Sequence, residues 1–110
     1  LHYDNKTWKL ISCVYGKVFF VVVDCRKKSK NYLKTFSMIL DETKNIQVLI
    51  PPYFANGHLC LSNNCVFHYK LSYKGKYSDV KSQKVLKWND KRLKIKWPLK
   101  KDIILSKRDK

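Results

Sequence analysis

The chain reads as a succession of short alternating or wholly apolar segments, cut apart by polar breaks that carry glycine or proline. From Trp8 to Val14, Trp8, Leu10 and Ser12 fall on one face and Lys9, Ile11 and Cys13 on the other, the period of two expected of a strand. Tyr15-Gly16-Lys17 supplies a turn. Val18 to Cys25 is so rich in β-branched and aromatic residues that it predicts a central strand covered on both faces. Arg26 to Asn31 is a charged loop, Tyr32 to Leu40 resumes strand character, and Asp41 to Asn45 is a polar turn. Ile46 to Lys70 then reads as three short strands folding back on each other. Pro51-Pro52 ends the first because proline cannot donate a ladder hydrogen bond, and Asn56-Gly57 and Ser62-Asn63-Asn64 are the expected tight turns. From Cys65 the alternation puts Cys65, Phe67, Tyr69 and Leu71 on one face and Val66, His68 and Lys70 on the other. Beyond it, Ser72 to Ser82 reads as loop and Val80 to Trp88 as a last short strand. Arg92 to Trp97 alternates again until Pro98 stops it.

No helical period is sustained, and many short strands at regular spacing predict an all-β fold, an antiparallel double-sheet barrel. A chain of 110 residues makes one domain with a modest core. A barrel of this kind leaves a mouth between its sheets where a ligand can sit. The longest apolar run, the six residues from Val18 to Val23, is far short of a membrane span, and no signal peptide is visible. The expectation is a soluble, cytoplasmic protein without a membrane partner.

Charge changes this picture less than its size suggests. A net charge of +16 raises nucleic acid or an anionic membrane surface as a partner. The basic residues, however, are 21 Lys and three Arg scattered along the chain, and arginine is the residue suited to bidentate phosphate and base recognition. No nucleic-acid partner is therefore expected, and the same field can attract a pyrophosphate-bearing substrate. Cys13, Cys25, Cys60 and Cys65 lie in apolar runs without a C-x2-C pair, which predicts reduced thiols, although Cys60 and Cys65 flank a turn and can approach one another. His2, His58 and His68 are isolated, so no metal is expected. Gly16, Gly57 and Gly75 form no phosphate-cradling loop, so no nucleotide cofactor is expected either. On pattern alone Tyr69 reads as a packed core tyrosine, and Lys9 is a surface lysine if the register slips by one. His2 is then an exposed terminal imidazole, and Asp109 a tail carboxylate among Lys107, Arg108 and Lys110.

The runs IPPYFANG, LS, FHYK, WND, IKWPL and ILSKRD, in that order, resemble the nucleotide-sugar 3,5-epimerase family, typified by dTDP-4-dehydrorhamnose 3,5-epimerase, and the likeness runs from Leu1 to Asp109. The resemblance implies a cupin-type jelly roll, a homodimer, and cofactor-independent epimerisation of a nucleotide-diphospho-4-keto-6-deoxy sugar. The sugar would be a dTDP- or GDP-linked hexose or heptose, inverted at C3, C5 or both, in the synthesis of surface polysaccharide. Such chemistry needs a base, an acid on the opposite face and a cation or donor at the ketone oxygen. The resemblance places His2 as the base, Tyr69 as the acid, Lys9 at the ketone oxygen and Asp109 as the carboxylate that orients His2. It also places Tyr77 against the nucleotide base. An imidazole suits the first role because it titrates near neutrality, and a phenol suits the second because it keeps its proton there.

Two positions depart from the family pattern. The usual histidine of Phe-Ala-His-Gly is Asn56 here, expected as a substrate contact, and an aspartate usual in the central strand is Phe20. Loss of both together is coherent if they interact, since a buried carboxylate without its cation is costly. The departures leave open inversion at one carbon alone, or a non-catalytic cupin that binds a sugar nucleotide. Leu1-His2-Tyr3 looks like the tail of the family's Arg-Gly-Leu-His-Tyr segment, so the family's N-terminal strands are expected to be missing from these 110 residues.

Overall fold

The computed structural model describes residues 1–78, 81–99 and 101–110. Its strands are β1 (His2–Tyr3), β2 (Trp8–Tyr15), β3 (Lys17–Asp24), β4 (Thr35–Asp41), β5 (Val48–Ile50), β6 (Phe54–Cys60), β7 (Val66–Ser72) and β8 (Lys84–Val85). They form two antiparallel sheets, a larger one in the order β4-β3-β6-β1-β8 and a smaller one in the order β5-β2-β7. This is the antiparallel double-sheet architecture that the alternation predicts and the jelly roll that the resemblance implies, and among the described residues no helix is long and apolar enough to cross a membrane.

The central strand is buried on both sides, as its composition demands. Val18 and Phe20 point between the sheets and pack with Ile11, Leu40 and Ile50. Val21 and Val23 point outward, where Ala55, Leu93 and the Trp97 side chain cover them. Gly16 makes the β2–β3 turn at φ +77, a conformation that costs a residue with a Cβ. The β6–β7 turn sits beside it: Ser62 Oγ accepts from the Lys17 amide at 3.0 Å and donates to the Asn64 carbonyl at 2.6 Å. All four thiols are free.

Three expectations from the pattern are corrected. Asn56-Gly57 is not a turn but the middle of β6, with Asn56 opposite Val22 on one side and His2 on the other. The turn falls at Pro52-Tyr53 instead, where Tyr53 takes φ +69. Pairing with two neighbours outweighs the local preference of Asn-Gly, and the glycine serves a close approach, since a Cβ on Gly57 would lie 2.6 Å from Leu1 Cδ2. As a result β6 does not fold back on β5 and β7; it crosses to the larger sheet.

Arg92 to Trp97 is likewise not a strand. Asp90 accepts from the Arg92 amide at 2.9 Å and starts a 3-10 turn over Lys91–Leu93, and Lys94 follows at φ +52. The alternation there records burial of Leu93, Ile95 and Trp97 against the outer face of the large sheet without strand pairing. The last strand is confined to Lys84–Val85, and Val80, where it was expected to begin, lies outside the described residues.

Phe20 has no solvent exposure and is among the largest fully buried side chains. Phe20→Ala is therefore expected to cost about 3–5 kcal/mol of stability, read as a lower urea midpoint at unchanged m-value. A loss below about 1 kcal/mol would mean that the inter-sheet core does not depend on this ring.

Candidate active site

Strand β2 lies in the middle of the small sheet, so its inward residues face the large sheet across the sandwich. Lys9 is one of them, on the face it shares with Ile11 and Cys13, and is not the surface lysine that a slip of one residue would make it. Its Nζ crosses the gap to donate to Asn56 Oδ1 at 2.8 Å and lies 3.5 Å from the His2 carbonyl oxygen. None of the ion pairs among the described residues includes Lys9. Burial pushes its pKa below the ordinary lysine value, an effect opposed in part by the charge of Asp4.

His2 is placed by pairing on both sides, opposite Asn56 of β6 and Val85 of β8. Its Nε2 is 2.7 Å from Asp109 Oδ1, which comes from the far end of the chain. Ser106 Oγ donates to Asp109 Oδ2 at 2.6 Å and fixes the carboxylate. Burial pushes the His2 pKa below the ordinary imidazole value, and the hydrogen bond to Asp109 offsets part of that shift. Burial raises the Asp109 pKa, but hydrogen bonds from Ser106 and His2 outweigh it and hold the carboxyl below its ordinary value.

Tyr69 faces these groups from the other sheet. It stands opposite Ile11 in the β2–β7 ladder and keeps 54% of its surface exposed, so it is a cavity residue rather than a packed core phenol. Lys9, His2, Asn56, Tyr69, Tyr77 and Asp109 all line one cavity of about 520 Å³. Tyr77 packs beside Tyr73 with ring centroids 5.2 Å apart, and its hydroxyl accepts from Gln83 Nε2 at 3.0 Å. The structure thus brings together every residue expected at the site.

Two further cavity residues were not anticipated. Arg108 donates to Gln83 Oε1 at 3.0 Å and so places a guanidinium near Tyr77. Its position beside Asp109 in sequence was the available signal. His58 stacks on Phe67 with centroids 4.0 Å apart and planes 15° apart; its side chain stays exposed at the cavity, and partial desolvation there pushes its pKa down. The Asn-Gly turn signal hides it in the sequence; with β6 a strand, alternation puts His58 on the inner face with Asn56. Phe20, opposite His58 in the ladder, packs on the same Phe67 ring at 5.9 Å. Among the described residues no three histidine, cysteine or acidic side chains gather as a metal site.

A base fixed by a carboxylate, a phenol on the facing wall and an ammonium between them can exchange protons at a carbon next to a carbonyl. Comparison with known proteins points the same way. A family model described as dTDP-4-dehydrorhamnose 3,5-epimerase matches residues 1–110. The chain is 37% identical over 112 residues to the dTDP-4-dehydrorhamnose 3,5-epimerase of Escherichia coli K12, a match that takes in 99% of this chain and 59% of that protein. It superposes with a TM-score of 0.90 and 34% identity on the Legionella pneumophila dTDP-6-deoxy-D-glucose-3,5-epimerase in complex with dTDP-4-keto-L-rhamnose, over 99% of this chain and 57% of that one. A 3'-monoepimerase from Streptomyces bikiniensis, in complex with dTDP-quinovose, superposes with a TM-score of 0.85 and 27% identity, over 98% and 55% of the two chains. The chain thus spans less than two thirds of the length of these relatives.

The His2–Asp109 pair sets a direction that titration can read. Asp109→Asn removes the group that raises the His2 pKa, so the imidazole is expected to titrate lower still than in the wild type, followed by NMR of the ring protons. A value equal to or above the wild type would show that the pair carries no charge coupling. Both groups also weaken the fold on acidification. Each has a folded pKa below its unfolded one, so the unfolded chain binds more protons as the pH falls through that range.

Proposed function

The chain belongs to the dTDP-4-dehydrorhamnose 3,5-epimerase family, and we propose that it carries the catalytic centre of a cofactor-independent epimerase of a dTDP-linked 4-keto-6-deoxy sugar, acting at C3, C5 or both. The observation that carries this reading is the convergence of the His2–Asp109 pair, Lys9 and Tyr69 on one cavity from two facing sheets. In this reading neutral His2 takes the proton from the carbon next to the ketone, and Asp109 stabilises the imidazolium that results. The electron pair moves onto the ketone oxygen, where the Lys9 ammonium meets the charge. Tyr69, on the opposite wall, returns a proton to the other face of the carbon and regains its own from solvent, while the His2 imidazolium gives its proton up to solvent. Residues on opposite walls suit inversion, because removal and return must occur on opposite faces of the sugar.

The nucleotide end fits the outer part of the cavity. Tyr77 offers an aromatic face for the base, and Arg108 a guanidinium for the diphosphate. The strongly basic surface would draw the same anion inward. The relatives include a 3,5-epimerase and a 3'-monoepimerase, which is why the carbon is left as C3, C5 or both. We place the enzyme in the cytoplasm as a homodimer, in the synthesis of surface polysaccharide sugars. A second reading, a cupin that binds sugar nucleotides without turnover, draws on Asn56 and Phe20, where the family's histidine and aspartate are replaced.

The test is deuterium incorporation. The protein, expressed from its complete reading frame, is incubated in D2O with dTDP- and GDP-linked 4-keto-6-deoxy sugars, and label is located by NMR. Label is expected at C3, C5 or both of the dTDP sugar; label confined to a GDP sugar would reassign the nucleotide. Tyr69→Phe should cut turnover by roughly 10²–10⁴-fold while sugar-nucleotide binding survives. Binding without label on any 4-keto sugar would favour the non-catalytic reading.

A further inference from the structure

Asn56 joins the two halves of the site. Its backbone pairs with His2, and its side chain is the hydrogen-bond partner of Lys9. The direction of that bond fixes the amide. A lysine ammonium has donors and no acceptor, so the oxygen of Asn56 must face Lys9 and the nitrogen must face away. Among the described residues no oxygen accepts from Asn56 Nδ2, and the atom is not sealed off from solvent: Asn56 lines the cavity, and no buried side-chain polar atom lacks a partner. Two donors, the remaining N–H groups of Lys9 Nζ and the amide N–H2 of Asn56, are therefore available to one cavity from two facing strands that meet through the Lys9–Asn56 bond.

The surroundings keep this pair from being neutralised. No described carboxylate forms an ion pair with Lys9, and the fully buried Phe20 fills the central-strand position that could otherwise hold an acid. The remaining N–H groups of the ammonium and the amide nitrogen thus stay available to a ligand oxygen.

Resting on the epimerase reading above, the geometry points to Asn56 Nδ2 as the second hydrogen-bond donor, beside Lys9 Nζ, to the enolate oxygen that forms when a proton leaves the carbon next to the sugar ketone. No covalent bond to Asn56 forms or breaks; one N–H of its amide donates a hydrogen bond and keeps its proton. Being neutral, it strengthens the site without adding a titrating group, and its oxygen holds Lys9 in place without discharging it. A carboxylate of the same shape would do the opposite, pairing with Lys9 and repelling the enolate.

The test compares the wild type with Asn56→Ala and the isosteric Asn56→Asp. Asn56→Ala is expected to lower kcat by roughly 10²-fold, as for loss of one oxyanion donor, with KM changed by less than about threefold. Asn56→Asp should lower kcat at least as far and raise the pKa of the Lys9 ammonium, followed by NMR of a lysine-labelled sample. Binding of dTDP, which has no ketone, should be unchanged in both, which controls for misfolding. With an active wild type, a kcat for Asn56→Ala within about threefold of it would overturn this inference and leave the epimerase reading standing. A fall in kcat matched by lost dTDP binding would also overturn it, by making Asn56 a structural residue. A wild type that labels no 4-keto sugar would overturn both at once.

Discussion

The site depends on one costly placement, an ammonium held between two sheets with neutral oxygens for company. A buried charge is tolerated when polar atoms or a ligand of opposite sign meet it. Lys9 has the Asn56 amide oxygen at 2.8 Å and the His2 carbonyl at 3.5 Å, and neither carries a charge. Everything nearby follows from accommodating it. Strand β2 must alternate so that Lys9 points in, and β6 must cross to the other sheet so that Asn56 can meet it. The space around it must stay open, because a packed apolar lid would leave the ammonium with nothing to solvate it. The cavity is in this sense the consequence of the lysine.

The second constraint is the distance in sequence over which the site is assembled. His2 and Asp109 are 107 positions apart and 2.7 Å apart in space. The tail reaches the cavity by passing over the outer face of the large sheet, where Leu93, Ile95 and Trp97 pack against Val21 and Val23. The Trp97 indole donates to the Trp88 carbonyl at 2.8 Å and pins that path. The outer core therefore does more than stabilise β3. It delivers the carboxylate that orients the base.

Much of this was legible in the sequence because a period of two is a strong signal when one face is buried. The alternation in Trp8 to Val14 put Lys9 on one face with Ile11 and Cys13, with a one-residue slip to the surface equally open, and that from Cys65 placed Tyr69 with Phe67. The composition of Val18 to Cys25 announced a strand covered twice. What failed was local chemistry overruled by distant partners. Asn-Gly favours a tight turn in isolation, yet here Asn56 is held between β3 and β1 and Gly57 pairs with Val21 of β3, so the local signal hides His58 along with the crossing of β6. The alternation at Arg92 to Trp97 was real, but it marked burial and not pairing, because Asp90 had already bent the chain into a 3-10 turn. Asp109 had no local signal at all: three cations surround it in sequence, and its partner is the second residue of the chain.

The two departures that the resemblance implies, Phe20 and Asn56, are intelligible together. Residue 20 faces inward, opposite His58, and its side chain has no solvent exposure. An aspartate there would be a desolvated carboxylate needing a cation, and a histidine at position 56, on the same inner face of the neighbouring strand, could provide one by taking a proton. With Asn56 in that place, Lys9 would be the nearer recourse, and an ion pair with it would cancel the charge that the cavity displays. Phe20 removes the demand: its ring packs on Phe67 at 5.9 Å and asks for no counter-charge. Replacing one of the two residues alone would either strand a buried acid or leave an imidazole without its anion. With Phe20 and Asn56 the core stays apolar and the ammonium has no counter-charge, so the arrangement around Lys9 is self-consistent without a buried acid and imidazole.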